Sequence, residues 1–158
     1  IDVTEANIEV ARLHAAKMES DIAYKLITAE EMVKTESESF DVVACLEVIE
    51  HVPDPQQLVK TCSDLCKPGG TIVFSTINRN PKSFLFAIIG AEYILNLLPK
   101  GTHEFKKFIK PSELSNMMRN SNLEVKEIIG MSYNPLTKKY WLGKDVDVNY
   151  LIHAEKSK

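Results

Sequence analysis

The sequence is poor in the features that mark several common functional classes. Its net charge of −3 leaves no basic excess, so a nucleic-acid-binding surface is not indicated. The number and spacing of its three cysteines, Cys45, Cys62 and Cys66, match neither a disulfide framework nor a zinc site. No secretory signal pattern is recognisable. We therefore expect reduced core thiols in a cytosolic protein, and 158 residues suit one domain.

Strand-like and helix-like patterns alternate up to residue 80, which is typical of an α/β domain with a mainly parallel sheet. The near-continuous apolar run Phe40–Leu46 is typical of a strand buried on both faces. Two late strands predict an antiparallel finish, with residues 131–147 as a long hairpin connection. The remaining predicted strands are Ile22–Ile27, Thr71–Ile77, Glu124–Ile129 and Val148–Ala154, and the predicted helices are Ala29–Thr35, Pro55–Leu65, Ser112–Asn120 and one that follows Thr4.

The strand Phe40–Leu46 is followed by two carboxylates and an imidazole. In an open parallel sheet, ligands bind beyond the carboxyl ends of the strands, which is where Glu47, Glu50 and His51 fall. If the chain is helical there, their i, i+3, i+4 spacing puts all three on one face. Such a group can bind a divalent ion or transfer a proton. The alternative is a solvated turn with a charged rim, because the pattern E-x-x-E-H is weak.

A strongly apolar segment runs from Ser83 to Leu98. Its sixteen residues would be about 24 Å long as a helix, which is short for a bilayer span. Glu92 in its middle also disfavours spanning. One interpretation is a core helix. The other is a helix lying in a membrane interface, because flanking lysines favour anionic headgroups. These lysines are Lys82, Lys100, Lys106, Lys107 and Lys110.

Several stretches of the sequence are similar to a known enzyme family. Asp2 after an apolar residue, FDVVACLEVIEHVPDP and KPGGTIVFSTINRN resemble the class I S-adenosylmethionine-dependent methyltransferases. A narrower resemblance, to the ubiquinone-biosynthesis O-methyltransferases, runs from Ile1 to about Lys156. It is carried by LEVIEHVPDP, FSTINRNPKSF, AEYILNLLPKGTHEFKKFIKPSEL, the YNP of residues 133–135 and DVNYLIHAEK. The resemblance implies a Rossmann-like sheet and methylation of a catechol-type hydroxyl on a polyprenylated ring.

The resemblance assigns candidate residues for S-adenosylmethionine. Asp2 matches the acidic residue that contacts the ribose hydroxyls of the cofactor. A carboxylate suits that role because it can accept a hydrogen bond from each hydroxyl. Ala29 and Glu30 match a loop near the adenine, and Leu46 matches a position that touches the cofactor.

The resemblance also assigns a metal and catalytic residues. Glu47, Glu50 and His51 match residues that hold a divalent ion, which implies magnesium. A phenol has a pKa near 10, so an ion or a base must help its oxygen to accept a methyl group. If no metal takes part, His51 can act as the base itself. Glu47 is also a catalytic candidate, and so is His103, which lies in the family-specific stretch.

The sequence departs from this family at its amino-terminal side. The family begins with a strand and a G-x-G-type loop under the methionine part of the cofactor, and neither is found here. We therefore expect residues 1–158 to form the carboxyl-terminal two-thirds of one methyltransferase domain, without the first strand. An expressed fragment, a decayed or misannotated reading frame and a separate upstream polypeptide are the alternatives.

The expected partners follow from the same resemblance. They are a polyprenylated phenol or quinol, an anionic membrane surface contacted by an insert at about residues 80–110, and a complex of ubiquinone-biosynthesis enzymes. The expected location is peripheral on the inner membrane, on the cytoplasmic side in a bacterium or the matrix side in a mitochondrion. The alternative functions are a catalytically inactive membrane-associated remnant or interaction module, and a methyltransferase with another small acceptor.

Overall fold

The computed structural model describes residues 1–84, 104–134 and 137–158. The helices are α1 (Glu5–Lys17), α2 (Ala29–Glu36), α3 (Pro55–Leu65), α4 (Pro81–Ser83) and α5 (Pro111–Arg119), with short 3₁₀ segments at Ile49–His51 and Phe105–Lys107. The strands are β1 (Phe40–Leu46), β2 (Cys66–Ile77), β3 (Leu123–Asn134), β4 (Lys139–Gly143) and β5 (Asn149–Lys156). The predicted α/β architecture is confirmed.

The five strands form one sheet in the order β1-β2-β5-β3-β4. β1 and β2 are parallel, whereas β5 pairs antiparallel with both β2 and β3. The predicted antiparallel strands at the end of the chain are therefore present. The expected connection at 131–147 also contains a further strand, β4, which forms a hairpin with the end of β3. The expected strand Ile22–Ile27 is reduced to one parallel bridge between Leu26 and Asp2, because only the short amino-terminal segment pairs with it.

Helices α3 and α5 cover one face of the sheet. Pro55 opens α3, and the preceding Asp54 side chain accepts a hydrogen bond from the Gln57 N–H at 3.0 Å. Their apolar residues pack on alternate residues of β2 and β5, which share that face. The fully buried residues between these helices and strands include Val59, Ile72, Phe74, Leu114, Met118, Tyr150, Ile152 and Ala154. The covered face thus holds the hydrophobic core.

The expectation that β1 is buried on both faces is wrong for the described part of the chain. Val42 is 61% exposed and Leu46 is 51% exposed. Within that part, β1 pairs with β2 alone, so its other edge has no strand beside it. The three cysteines agree with expectation, because Cys45, Cys62 and Cys66 are buried free thiols.

Gly130 in β3 lies against the backbone of the β4–β5 connection. A Cβ added at Gly130 would be 1.7 Å from the Asp145 carbonyl oxygen. We expect Gly130→Ala to lower the free energy of unfolding by about 1–3 kcal/mol, because backbone must move to make room. Urea unfolding followed by circular dichroism measures the change.

Gly143 in β4 is the matched control. A Cβ there would have its nearest neighbour at 4.0 Å, the Cδ1 atom of Trp141. Gly143→Ala should therefore leave the unfolding midpoint almost unchanged. Equal midpoints for the two variants would show that the close approach at Gly130 does not constrain the fold.

Candidate active site at the carboxyl ends of β1 and β2

Three strand ends meet at one edge of the sheet. β1 and β2 are parallel, so their carboxyl ends lie together, and the antiparallel β5 brings its amino end there. Glu47 follows β1, Ser75 and Thr76 lie near the end of β2, and Asn149 and Tyr150 begin β5. Sequence reasoning missed these β2 and β5 residues. The hydrogen bonds that Ser75, Thr76 and Asn149 make with Glu47 and Glu50 span 26 to 102 positions of the chain.

Glu47 is held by β2 and β5. Its φ of 53° lies in the left-handed region, where a non-glycine residue needs support from its surroundings. Its N–H donates to both the carbonyl and the hydroxyl oxygen of Ser75, each at 3.1 Å. Its Oε1 accepts bonds from the Ser75 hydroxyl at 2.6 Å and the Asn149 amide at 3.1 Å. Oε2 receives no hydrogen bond from the described residues and remains available to a ligand.

Glu50 is buried in a different environment. It is 3% exposed, and its Oε2 accepts one hydrogen bond, from the Thr76 hydroxyl at 2.9 Å. Its Oε1 is buried without a hydrogen-bond partner in the described structure. Burial raises the pKa of this carboxyl, and the nearby charge of Glu47 raises it further. Glu50 thus keeps its proton to higher pH than an ordinary carboxyl does.

The two carboxylates lie towards opposite faces of the sheet. Successive side chains of a strand point to opposite faces, and Ser75 binds Glu47 while Thr76 binds Glu50. The face of Thr76 and Tyr150 is the one that α3 and α5 cover. Glu47 is therefore on the opposite face, which α3 and α5 do not cover and which we call the open face.

The arrangement of the described residues gives no support to the expected divalent-ion site. Only Ile49–His51 is helical, as a 3₁₀ turn, so Glu47 lies outside it and the expected shared helical face does not form. Among the described residues, no cluster of three or more His, Cys, Asp or Glu side chains could hold a metal ion. The magnesium site is unsupported, and the roles of Glu47, Glu50 and His51 as ligands remain predictions.

A cavity of about 310 Å³ lies elsewhere, where α5 meets the start of β3. Its lining residues are Arg119, Asn122, Leu123, Glu124, Val125 and Ser157. Leu123 pairs with Lys156 at the far end of β5, so this cavity is at the opposite end of the sheet from Glu47. It does not contribute to the candidate site.

Comparison with known proteins decides the family. A family model described as a methyltransferase domain matches residues 1–128. The ubiquinone biosynthesis O-methyltransferase of Hahella chejuensis is 58% identical over 156 residues, which are 99% of this chain and 66% of that protein. The protein of the same name from Stutzerimonas stutzeri is also 58% identical, over 99% of this chain and 67% of its own length. This chain belongs to the ubiquinone biosynthesis O-methyltransferase family. It spans about two-thirds of the length of these curated relatives.

Solved structures agree on the fold. A SAM-dependent methyltransferase from Thermotoga maritima superposes with a TM-score of 0.67 at 24% identity, over 98% of this chain and 71% of that one. A second, from Methanosarcina mazei, gives a TM-score of 0.65 at 18% identity, over 99% of this chain and 80% of that one. The fold is that of the S-adenosylmethionine-dependent methyltransferases.

The cofactor candidates occupy separate places in this chain. Asp2 is in the bridge with Leu26, and its carboxylate oxygens accept bonds from the Thr4 N–H at 2.7 Å and the Asn7 amide at 3.1 Å. The Thr4 N–H lowers the pKa of Asp2, and the Asn7 amide adds to this effect.

Asp2 fits a ribose diol. Each carboxylate oxygen has two lone pairs, so both can accept one further hydrogen bond, from a ribose hydroxyl. Leu46 ends β1 beside Glu47, and Ala29 and Glu30 form the first turn of α2. The hydrogen bonds of the described residues do not join Asp2 to the Glu47 group. His103 lies outside the described residues.

We expect the stability of the protein to depend on the protonation of Glu50. Its folded-state pKa is raised, so its stabilising contribution is full below the ordinary value of 4.5 and is lost as pH rises through the folded pKa. Glu50→Gln keeps a hydrogen-bond acceptor for Thr76 and removes the charge. The free energy of unfolding of wild type should fall relative to this variant between pH 4 and pH 8, as measured by urea unfolding.

The exposed Glu9 of α1 provides the control, and Glu9→Gln should follow the wild-type pH profile. Parallel profiles for wild type and Glu50→Gln would contradict the proposed cost of ionising Glu50.

Magnesium chloride should shift the melting temperatures of wild type and Glu50→Gln by the same amount. A larger shift for wild type would restore Glu50 as a metal ligand.

Proposed function

We propose that the protein transfers a methyl group from S-adenosylmethionine to a catechol-type hydroxyl on a polyprenylated ring in ubiquinone biosynthesis. The observation that carries this proposal is the 58% identity to proteins named for that activity, which extends over 99% of this chain. The open-face carboxylate of Glu47 supports it, because an O-methyltransferase must remove a proton from its acceptor.

The chemistry needs a base close to the acceptor oxygen. When bound, S-adenosylmethionine would supply the methyl carbon of its sulfonium to the acceptor oxygen, and S-adenosylhomocysteine would leave as a neutral thioether. A free phenol is mostly protonated at neutral pH because its pKa is about 10. Glu47 can accept the phenolic proton on Oε2 as the new oxygen–carbon bond forms. Ser75 and Asn149 hold Oε1 and so fix the direction of Oε2.

Other candidates for this step have less support from the geometry. His51 is exposed at the end of the 3₁₀ turn and is the second candidate base. Glu50 points to the covered face and cannot meet an acceptor on the open one. The proposal uses no metal ion, because the described side chains do not form a ligand set.

Glu47→Gln should lower kcat by about 10²–10⁴-fold, the usual contribution of a positioned general base. The affinity for S-adenosylmethionine should change little, because the amide only removes a proton acceptor. Asn149→Ala should also lower kcat, by up to about 10²-fold, through loss of orientation. The assay is transfer of a labelled methyl group to a short-chain prenylated catechol in micelles, with the full-length gene product.

Glu124→Gln, at the opposite end of the sheet, is the charge-matched control and should retain full activity. Wild-type kcat in Glu47→Gln would exclude Glu47 as the base and leave His51, tested as His51→Gln in the same assay. An absence of transfer by the wild-type protein to any prenylated catechol would refute the proposed activity itself.

The proposed location is the surface of an inner membrane, on its cytoplasmic or matrix side, where a polyprenylated substrate resides. Supporting it are the apolar composition of residues 83–98 and the lysines beside them. Residues 85–98 lie outside the described residues, whereas Phe84 is 42% exposed. In the part of the chain that the structure describes, no helix combines the length and apolarity needed to cross a bilayer.

Substitution of Phe84, Ile88 and Leu95 by serine should reduce several-fold the fraction of the protein that sediments with vesicles that contain phosphatidylglycerol. The physical reason is the loss of the apolar area that would enter the interface. Serine at Val10 and Leu13, which are 66% and 73% exposed on α1, is the matched control and should leave sedimentation unchanged. If the triple variant sediments as fully as wild type, this segment does not contact the membrane.

A further inference from the structure

The hairpin of β3 and β4 projects an unusual set of exposed side chains. We call residues 131–134 and 137–144 the hairpin arm. Tyr140, Trp141 and Leu142 are 67%, 52% and 59% exposed. Side chains alternate along a strand, so Tyr140 and Leu142 extend from one face and Trp141 from the other. The rings of Tyr133 and Tyr140 pack against each other with 4.5 Å between their centroids, which makes this end of the arm aromatic.

The charge of the arm is of one sign. Residues 131–144 contain three lysines, Lys138, Lys139 and Lys144, and no acidic residue. The acids that follow, Asp145 and Asp147, are paired with Lys82 at 2.8 Å and 3.0 Å. The exposed aromatic residues are therefore flanked along the chain by lysines and by no acid within the arm.

The base of the arm is anchored beside the candidate site. The Asn80 amide donates to the Asp147 carbonyl at 2.6 Å, and the Asn78 amide donates to the Val146 carbonyl at 3.0 Å. Met131 pairs with Asn149, the residue that binds Glu47. The arm thus leaves the sheet at the edge where Glu47 lies, next to the point where residues 83–98 begin.

We propose that the hairpin arm is a second membrane contact, which places Trp141, Tyr140 and Leu142 in the interface of an anionic bilayer. Tryptophan and tyrosine suit that interface because their rings are apolar with a polar edge. Lysines at the rim are attracted to anionic headgroups. This inference rests on the exposed arm and does not require the proposed activity.

A bilayer fits the arm better than a protein partner. A partner on one face of β4 would cover Trp141 or Tyr140, but not both, whereas an interface surrounds the whole tip. A second copy of the chain could pair with the β4 edge. Lys139 and Lys144 flank that edge, and like charges there disfavour strand pairing between copies.

Trp141 is the single tryptophan of this chain, so its fluorescence reports directly on the arm. The full-length gene product is mixed with vesicles of equal parts phosphatidylglycerol and phosphatidylcholine, and the spectrum of Trp141→Phe is subtracted. We expect a blue shift, and stronger quenching by lipids brominated near the headgroup than by lipids brominated at the chain end. Pure phosphatidylcholine should give a several-fold smaller shift.

Two sets of substitutions distinguish the contribution of the arm's lysines from that of the neighbouring apolar segment. Lys138→Glu with Lys139→Glu and Lys144→Glu should abolish the dependence on phosphatidylglycerol. Serine at Phe84, Ile88 and Leu95 tests the neighbouring segment, and Trp141 quenching that persists in this variant supports an independent contact by the arm. Far-ultraviolet circular dichroism checks that each variant is folded.

Unshifted Trp141 emission in a protein that sediments with vesicles would overturn the proposal. A blue shift without lipid that grows with protein concentration would also overturn it and would identify self-association. The vesicle experiment contains neither S-adenosylmethionine nor a methyl acceptor. Its result therefore does not depend on whether the proposed enzymatic activity is correct.

Discussion

The pairing of β5 with β2 is the interaction on which the candidate site depends. Seven residue pairs join these strands, from Thr71 with Glu155 to Ile77 with Asn149. Because the pairing is antiparallel, the first residue of β5 arrives at the carboxyl end of β2, beside a residue that follows β1. A shift of one residue in this register would turn Asn149 away from Glu47 and place the buried Tyr150 on the open face.

The alternation of β2 gives two similar carboxylates different properties. Ser75 and Thr76 are neighbours, yet they bind Glu47 on the open face and Glu50 on the covered one. Glu47 keeps one oxygen available to a ligand, whereas Glu50 has a buried oxygen without a partner and a raised pKa. The hydrophobic core on one side of the strand thus gives Glu50 a raised pKa, whereas Glu47 on the other side is a candidate base.

Local patterns predicted the helices well. α3 begins at Pro55 and ends at Leu65, as the proline and the apolar spacing indicated. Thr28 with Glu31 forms a capping box at the start of α2, which begins at the expected Ala29. These features depend on residues a few positions apart, so the sequence alone contains their cause. The burial of β1 was predicted less well, because burial depends on which strands and helices lie beside it.

The sequence by itself determined the α/β class, the family and the carboxylate-rich edge after Phe40–Leu46, because each depends on short stretches of chain. Only the tertiary structure decided that Glu47 and Glu50 face opposite sides of the sheet and that Ser75 and Asn149 hold Glu47. It also decided that residues 131–134 and 137–144 form a projecting arm with Tyr140 and Trp141 exposed. These outcomes depend on strand register and layer packing, which bring together residues up to 102 positions apart. Spacing along a chain carries no direct record of such contacts.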